Sequence, residues 1–359
     1  MRRVLAAALG VIGLAVLALV LRLALPVSTP AFRTPDGRVD PASIAVIERW
    51  PINGVMQTVV IRGRNRSNPL LIWLHGDSIS ETAVLRRFNA ALEDYFTMVY
   101  WDQRYAGRSL DFHAPKPKTL KIDDFVSDLG AVVERLQTRF GSRKVVIVGH
   151  SWGTVIGVLY AERHPEKVAA YVGLSQVTNT PENERRSYDW VLGEAERAGN
   201  RKAIAALRAL GPPPRAAGSN FTPREWLDVF GGGFRGDVGF GRLALVALGS
   251  SEANWRDYAS VLKAPPYMRD LIMGEFSRLV LDEGHTTFAV PVFLLSGRYD
   301  HQSEAGLAYR YFERITAPRK GFVWFETSAH NPHYEEPAKF NAWMIDTVRP
   351  LSDQPQASR

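Results

Sequence analysis

A serine with a glycine two positions away on either side follows a short apolar stretch of the chain. Ser151 lies in the sequence Gly-His-Ser-Trp-Gly, between the strand-like run 145–148 and a helix-like pattern that continues to Arg163. A serine hydroxyl is a poor nucleophile at neutral pH and needs a base within hydrogen-bonding distance. A sharp turn from strand to helix exposes such a hydroxyl, and Gly149 and Gly153 let the strand and helix pack closely. The pattern predicts that Ser151 is a nucleophile; the alternative is that it only caps the following helix.

Backbone N–H groups near Ser151 are candidates for stabilising a negatively charged oxygen. The helix after Ser151 would point its first N–H groups at such an oxygen, so the backbone of Trp152 is the first candidate donor. A second donor should come from the loop after the strand-like stretch 69–75, where Gly76 and Asp77 follow. A carboxylate beside a developing oxyanion would oppose it, so the Asp77 side chain has to point away or change which substrates are tolerated.

The elements that must position these residues alternate between strand-like and helix-like patterns. Short apolar runs followed by helical periods predict an α/β fold whose mostly parallel sheet is covered by helices on both faces. After Gln176 the alternation of strand-like and helix-like patterns stops, and no apolar strand-like run occurs up to Thr287. This predicts an inserted helical cap. The predicted divisions are an N-terminal segment (1–26), a tether (27–45), the first part of the core (46–176), the cap (177–287), the second part of the core (288–350) and a tail (351–359).

Five short motifs occur in a fixed order: LHGDS, YWDQRYAGRS, GHSWGT, SGRYD and SAHNPHYEEP. Together they resemble the α/β-hydrolase superfamily, and within it the prolyl iminopeptidase branch, from about Gln57 to the last helix. Members of that branch carry His-Gly-Gly-Pro or a similar sequence where this chain has His-Gly-Asp-Ser at 75–78. Asp77 therefore departs from the family pattern.

The resemblance implies a catalytic triad in the chain order serine, acid, histidine. Of the eight histidines, His330 and His333 follow the last strand-like run, and the family loop matches at His330. Asp300 ends the run before it and is the implied acid, with Glu304 as the reserve. We also expect Asp102 and Arg104 of the second motif to form a pair that braces its loop.

These residues predict acyl transfer to water through an acyl-enzyme, with no metal or organic cofactor. The resemblance implies release of N-terminal proline from peptides, for which acidic residues of the cap would hold the free amine. The candidates are Glu182, Glu184, Glu194, Glu225 and Glu252. A carboxylesterase of small esters is the alternative, and a binding protein that kept the fold without activity is another. The expected substrate is a small molecule or a short peptide, and the sequence does not indicate an oligomeric state.

The N-terminus predicts contact with a membrane. Arg2 and Arg3 precede an apolar run from Val4 to Leu21, and about 18 residues is near the length that spans a bilayer. The expectation is an anchor, or alternatively a cleaved signal peptide, with the catalytic domain outside the cytoplasm.

The net charge of +7 is mild, and the absence of basic runs interleaved with aromatics argues against nucleic-acid binding. The chain has no cysteine, which excludes disulfides and a thiol nucleophile.

Overall fold

The structure is a computed structural model. It describes residues 20–76, 80–115, 117–141, 143–215, 221–261 and 272–352, together with residues 10, 13, 17, 18 and 263. Most of the predicted N-terminal segment, Asp77 and the end of the predicted tail lie outside these ranges. No helix within them is both long enough and apolar enough to cross a bilayer.

An eight-stranded sheet forms the centre of the fold. Its strands, in chain order, are β1 Ile44–Ile52, β2 Val55–Gly63, β3 Leu70–Leu74, β4 Thr97–Asp102, β5 Val145–His150, β6 Val168–Leu174, β7 Val292–Gly297 and β8 Lys320–Phe325. Their order in the sheet is β1-β2-β4-β3-β5-β6-β7-β8. β1 pairs antiparallel with β2 and β2 with β4, whereas β4, β3 and β5 to β8 are parallel. The predicted mostly parallel sheet is confirmed.

The central strands are apolar because helices cover both faces of the sheet. In β3, Leu70, Ile72 and Leu74 belong to one apolar cluster, and Leu71 and Trp73 belong to a second cluster. Successive side chains of a strand point to opposite faces, so these clusters are the cores above and below the sheet. The helices of the core are α1 Thr82–Asn89, α2 Ile122–Phe140, α3 Trp152–Arg163, α9 Ala305–Arg314, α10 Pro332–Glu335, α11 Pro337–Trp343 and α12 Arg349–Ser352, with a π-helical turn at Met344–Val348.

The described residues between β6 and β7 contain five helices. They are α4 Thr180–Arg197, α5 Arg201–Leu210, α6 Arg224–Val229, α7 Phe240–Leu248 and α8 Met273–Phe276. α4, α5 and α6 share a third apolar cluster that contains Tyr188, Leu207 and Trp226. Within the described part of 177–287 the pairings of strand type are two isolated bridges, one between Asn179 and Val280 and one between Thr287 and Thr316.

The stretch predicted as a tether packs against the domain. The Ser28 N–H donates to the Ser251 carbonyl at 2.9 Å, and buried Arg62 donates to the Pro30 carbonyl at 2.6 Å. β1, which the sequence analysis did not identify, begins at Ile44. The stretch looked like a linker because backbone groups and the Thr29 hydroxyl make its contacts, which composition does not reveal.

Candidate active site

Ser151 occupies the turn between β5 and α3 in a strained conformation. Its φ is +50° and its ψ is −115°, outside the regions that residues with a Cβ usually adopt. The Ser151 N–H donates to the Leu174 carbonyl at 3.0 Å, which fixes the turn to the neighbouring strand. A Cβ on Gly149 would overlap the Gly153 carbonyl, and one on Gly153 would overlap the Leu74 carbonyl. Both glycines are therefore required by the close packing of the turn.

His330 and Asp300 form a buried pair. The His330 Nδ1 lies 3.0 Å from one carboxylate oxygen of Asp300 and 3.1 Å from the other. Asp300 also accepts hydrogen bonds from the N–H groups of Gln302 at 3.0 Å and Ser303 at 2.8 Å. Burial favours the neutral acid, but the facing imidazole and the Ser303 N–H lower the pKa of Asp300 below its usual value. The carboxylate is therefore charged at neutral pH and orients the imidazole.

The other ring nitrogen of His330 faces no partner. The Nε2 is buried, and no described residue hydrogen-bonds to it. His330, Ser151 and Gly76 line one cavity of about 520 Å³. Burial lowers the pKa of His330, and Asp300 opposes that effect only in part. A neutral imidazole that has one nitrogen bonded to Asp300 can accept a proton at the other nitrogen.

The loop that carries His330 is held by its backbone. The His330 carbonyl accepts from the His150 Nε2 at 3.1 Å and from the Ser175 hydroxyl at 2.9 Å. The His330 N–H donates to the Gly233 carbonyl at 3.0 Å, which links the loop to the cap. These contacts restrict the position of the imidazole relative to the turn at Ser151.

The two candidate oxyanion donors that the structure describes, the N–H groups of Trp152 and Gly76, have different surroundings. Trp152 is the first residue of α3, so its backbone N–H has no acceptor within the helix. A Cβ on Gly76 would lie 3.2 Å from the Cβ of Ser151, so this loop passes beside Ser151. The Gly76 N–H, however, points at the Glu81 carboxylate at 3.3 Å. In this conformation Gly76 is engaged elsewhere, and Asp77 lies outside the described residues.

The reserve residues of the sequence analysis lie outside the pair formed by His330 and Asp300. His333 is fully buried among aromatic rings, 5.3 Å from the Trp73 ring and 4.6 Å from the His150 ring. Burial lowers the pKa of His333 well below its usual value. Glu304 bonds to the ring of His301 at 2.5 Å.

The predicted pairing of Asp102 with Arg104 is wrong. Asp102 accepts from Arg108 at 2.9 Å, and Arg104 is bonded to buried Asp128 at 2.6 Å. Sequence proximity suggested the pair, but Asp102 ends β4 and Arg104 turns toward α2.

The cavity is largely apolar and has four carboxylates on its wall. Its apolar residues include Val84, Phe234, Phe240, Leu243, Ala247 and Val261. Of the five cap glutamates proposed from sequence, Glu252 lines the cavity, where it is bonded to Arg86 at 2.5 Å. Asp228 and Asp257 also line it and were not identified from sequence, because nothing in their local sequence separates them from surface aspartates. Burial raises the pKa of each to about 6, against the opposing effect of a nearby arginine.

The chain resembles known hydrolases over most of its length. The family model for the α/β hydrolase fold matches residues 70–202. The probable aminopeptidase YbaC of Bacillus subtilis is 29% identical over 304 residues, which cover 83% of this chain and 94% of that protein. A proline iminopeptidase of Heyndrickxia coagulans is 23% identical over 293 residues, which cover 78% of this chain and 91% of that protein.

A solved structure has the same fold. The proline iminopeptidase-related protein from Thermus thermophilus superposes with a TM-score of 0.62 at 20% identity, covering 86% of this chain and 99% of that one. The order of the sequence motifs, the topology of the sheet and the similar proteins all indicate the same fold. The chain therefore has the α/β-hydrolase fold and is a hydrolytic enzyme, and its sequence is similar to those of the aminopeptidase and proline iminopeptidase relatives.

Proposed function

We propose that the chain is a serine hydrolase that cleaves an amide or ester bond through an acyl-enzyme. The observation that carries this proposal is the placement of His330. Its Nδ1 is bonded to Asp300, and its unpartnered Nε2 belongs to a residue on the same cavity as Ser151. This arrangement supports Ser151 as nucleophile, His330 as general base and acid, and Asp300 as the group that orients His330.

The proposed reaction has two halves. In the first, the Ser151 hydroxyl attacks the substrate carbonyl, its proton passes to the His330 Nε2, and His330 then protonates the leaving amine or alcohol. In the second, His330 takes a proton from water, the resulting hydroxide attacks the acyl-enzyme, and the proton returns to Ser151. The Trp152 N–H and a donor from the loop at 76–77 stabilise the tetrahedral oxyanion in both halves.

For the substrate we favour a peptide with a free N-terminus, because the relatives include a protein named as a probable aminopeptidase and a proline iminopeptidase. A charged amine in an apolar cavity needs a carboxylate partner. Glu252 is bonded to Arg86, and Asp257 lies 3.6 Å from Arg108. No ion pair joins Asp228 to any residue that the structure describes, so Asp228 is our candidate for the amine partner.

A carboxylesterase is the second candidate, because the walls of the cavity favour an apolar acyl group. Leu243 and Ala247 of α7 line it together with Val84 of α1. An ester substrate would use the same triad and would not need Asp228.

A fluorophosphonate probe tests the nucleophile. We expect labelling of the purified chain that disappears in Ser151→Ala and persists in Ser187→Ala, which changes a buried serine of α4. Absence of labelling in the parent chain would instead support a binding protein that kept the fold.

Two chromogenic substrates distinguish the candidates. If Asp228 binds the amine, Asp228→Asn should raise KM for proline p-nitroanilide by at least about tenfold, because a hydrogen bond to a charged group is worth about 1.5–3 kcal/mol. Turnover of a short p-nitrophenyl ester should not change. Asp189→Asn on the exposed face of α4 is the matched control. Turnover of the ester alone by the parent chain would favour the esterase.

We further propose that the catalytic domain lies outside the cytoplasm, held by the N-terminal segment. The support is the apolar run 4–21 after Arg2 and Arg3. N-terminal sequencing of the membrane and soluble fractions tests this. A protein in membranes that still begins at Met1 supports an anchor, and a protein whose first residue lies after residue 26 supports a cleaved signal peptide. A protein that begins at Met1 and is found only in the cytoplasm rejects both.

A further inference from the structure

Three buried side chains beside the candidate active site have the composition of a metal site. The Glu81 carboxylate and the imidazoles of His150 and His333 form a group, here called the Glu–His–His cluster, whose candidate ligand atoms all lie within 4.8 Å of one another. The three residues are between 0% and 8% exposed. None of them belongs to the proposed triad, so the catalytic proposal leaves the cluster unexplained.

The outer hydrogen bonds of the cluster direct ligand atoms inward. A carbonyl oxygen only accepts, so the His150 Nε2 must carry the proton that it donates to the His330 carbonyl at 3.1 Å. The His150 Nδ1 therefore faces the Glu81 Oε1, while the Glu81 Oε2 accepts from the indole of Trp73 at 2.8 Å. Imidazoles that bind metals characteristically donate their other N–H to a carbonyl or carboxylate, and the carboxylates that bind metals are themselves hydrogen-bonded.

His333 gives an independent indication of a missing partner. Both of its ring nitrogens are buried, and neither has a hydrogen-bond partner among the residues that the structure describes. Leaving a buried polar group without a partner costs about 1–3 kcal/mol, so such a group in a native protein calls for a bound water or ion. The two neighbours of His333 within the cluster are potential ligands of the same ion.

The separation of His150 and Glu81 also fits an ion between them. The Nδ1 and Oε1 are 3.3 Å apart, whereas a hydrogen bond between an imidazolium and a carboxylate is usually about 2.7–2.9 Å. Two ligands of a tetrahedral ion at bond lengths of about 2.0–2.1 Å are about 3.3–3.4 Å apart.

We propose that the Glu–His–His cluster binds one divalent metal ion of the Zn²⁺ type. The ligands are the Glu81 Oε1, the His150 Nδ1 and a ring nitrogen of His333. Two imidazoles and one carboxylate form a ligand set that Zn²⁺ accepts, with water as the fourth ligand. Glu81 and His150 line the cavity, which gives the ion and the water an entry path.

The ion would connect the two loops on either side of Ser151. Glu81 accepts from the Gly76 N–H, and His150 donates to the His330 carbonyl. The alternative is a protonated His150 paired with Glu81 and no metal. Both arrangements leave the roles of Ser151, His330 and Asp300 unchanged, so this inference is independent of the proposed function.

Metal analysis of the full chain, purified without a histidine tag, tests the proposal. After stripping with dipicolinate and exposure to ZnCl₂, we expect about one zinc per chain by plasma mass spectrometry, and a Tm that rises with zinc concentration. Diffraction at the zinc absorption edge should show one anomalous peak between Glu81, His150 and His333. Substoichiometric zinc in the parent chain, or a peak located elsewhere, overturns the proposal.

Three variants should differ in how tightly they bind zinc. Trp73→Phe removes the donor to Glu81 and should weaken zinc binding about 10–100-fold, as loss of an outer partner does in other sites. His333→Gln removes a ligand and should weaken binding further, whereas His113→Gln in a loop away from the cluster should change nothing. Equal zinc binding by His333→Gln and the parent chain would rule out the site. If His333→Gln does not fold, the stoichiometry and anomalous peak of the parent chain still decide.

Discussion

The residue before the proposed nucleophile holds the loop of the proposed base: the His150 Nε2 donates to the His330 carbonyl at 3.1 Å. The two rings are 5.2 Å apart, so His150 contacts both the backbone and the ring of His330. The Ser175 hydroxyl bonds to the same carbonyl from the end of β6. Ends of two neighbouring strands therefore determine where the imidazole sits, which explains how residues distant in sequence share one cavity.

Asp300→Asn should lower kcat about 10³–10⁴-fold without unfolding the protein. An asparagine amide can donate to the His330 Nδ1 and so favours the tautomer that carries its proton at Nε2, where it cannot accept the serine proton. Steady-state hydrolysis of the preferred chromogenic substrate measures the effect, and circular dichroism reports folding. Glu304→Gln, which alters only the contact with His301, is the matched control. A folded Asp300→Asn enzyme with more than a tenth of the parent activity would rule out Asp300 as the orienting acid.

In the pH profile of kcat/KM, the midpoint of the acid limb should lie below the usual histidine pKa of about 6.5. Burial lowers the pKa of His330, and the charge of Asp300 raises it again only in part. His330 must be neutral to accept a proton, so activity is lost as pH falls through its lowered pKa. A profile of kcat/KM from pH 4 to 9 measures the midpoint, and a midpoint above about 6.5 would contradict the assignment of His330 as base.

The sequence was sufficient to predict the parts of the fold that depend on local patterns. The apolar runs of β3 and β5 and the helical period of α2 indicated the mostly parallel sheet, because strands buried on both faces have little freedom of composition. The antiparallel β1 was missed: Arg49 and Glu48 interrupt its apolar pattern, since one edge strand is only half-buried.

The candidate site was only partly predictable. The glycines around Ser151 indicate the turn because no residue with a Cβ fits there. The cavity acids Asp228 and Asp257 carry no such signal, since what makes them unusual is burial by distant helices. The engagement of the Gly76 N–H by Glu81 likewise depends on a tertiary contact that spacing does not reveal.

Gly153→Ala should be strongly destabilising, by more than about 3 kcal/mol, because the added Cβ would overlap the Leu74 carbonyl and neither backbone can move without disturbing the sheet. Gly130→Ala in α2 is the matched control. Its Cβ would meet only the Tyr160 ring at 3.7 Å, so the better helix propensity of alanine should stabilise the protein by about 0.5–1 kcal/mol. Urea unfolding measures both. Equal stability of the two variants would contradict the close packing at the turn.

Arg62→Met should cost about 3–5 kcal/mol of unfolding free energy, because breaking a buried ion pair leaves part of the Glu93 charge uncompensated in the core. The Arg62 side chain is 2% exposed, bonds to buried Glu93 at 3.0 Å and donates to the Pro30 carbonyl. Arg86 still contacts Glu93 at 2.8 Å, which places the expected value at the lower end of the range. Urea unfolding of the variant and the parent chain measures the difference.

Arg64→Met is the matched control for this change. Its partner Asp94 is about half exposed, as Arg64 is, so water replaces the pair and the cost should stay below about 1 kcal/mol. Arg62→Met should also release residues 28–30 from the domain, because the Pro30 carbonyl loses its donor. Limited proteolysis should then cut near residue 30 in Arg62→Met and not in Arg64→Met. Equal protection of that stretch in both variants would show that other contacts hold it in place.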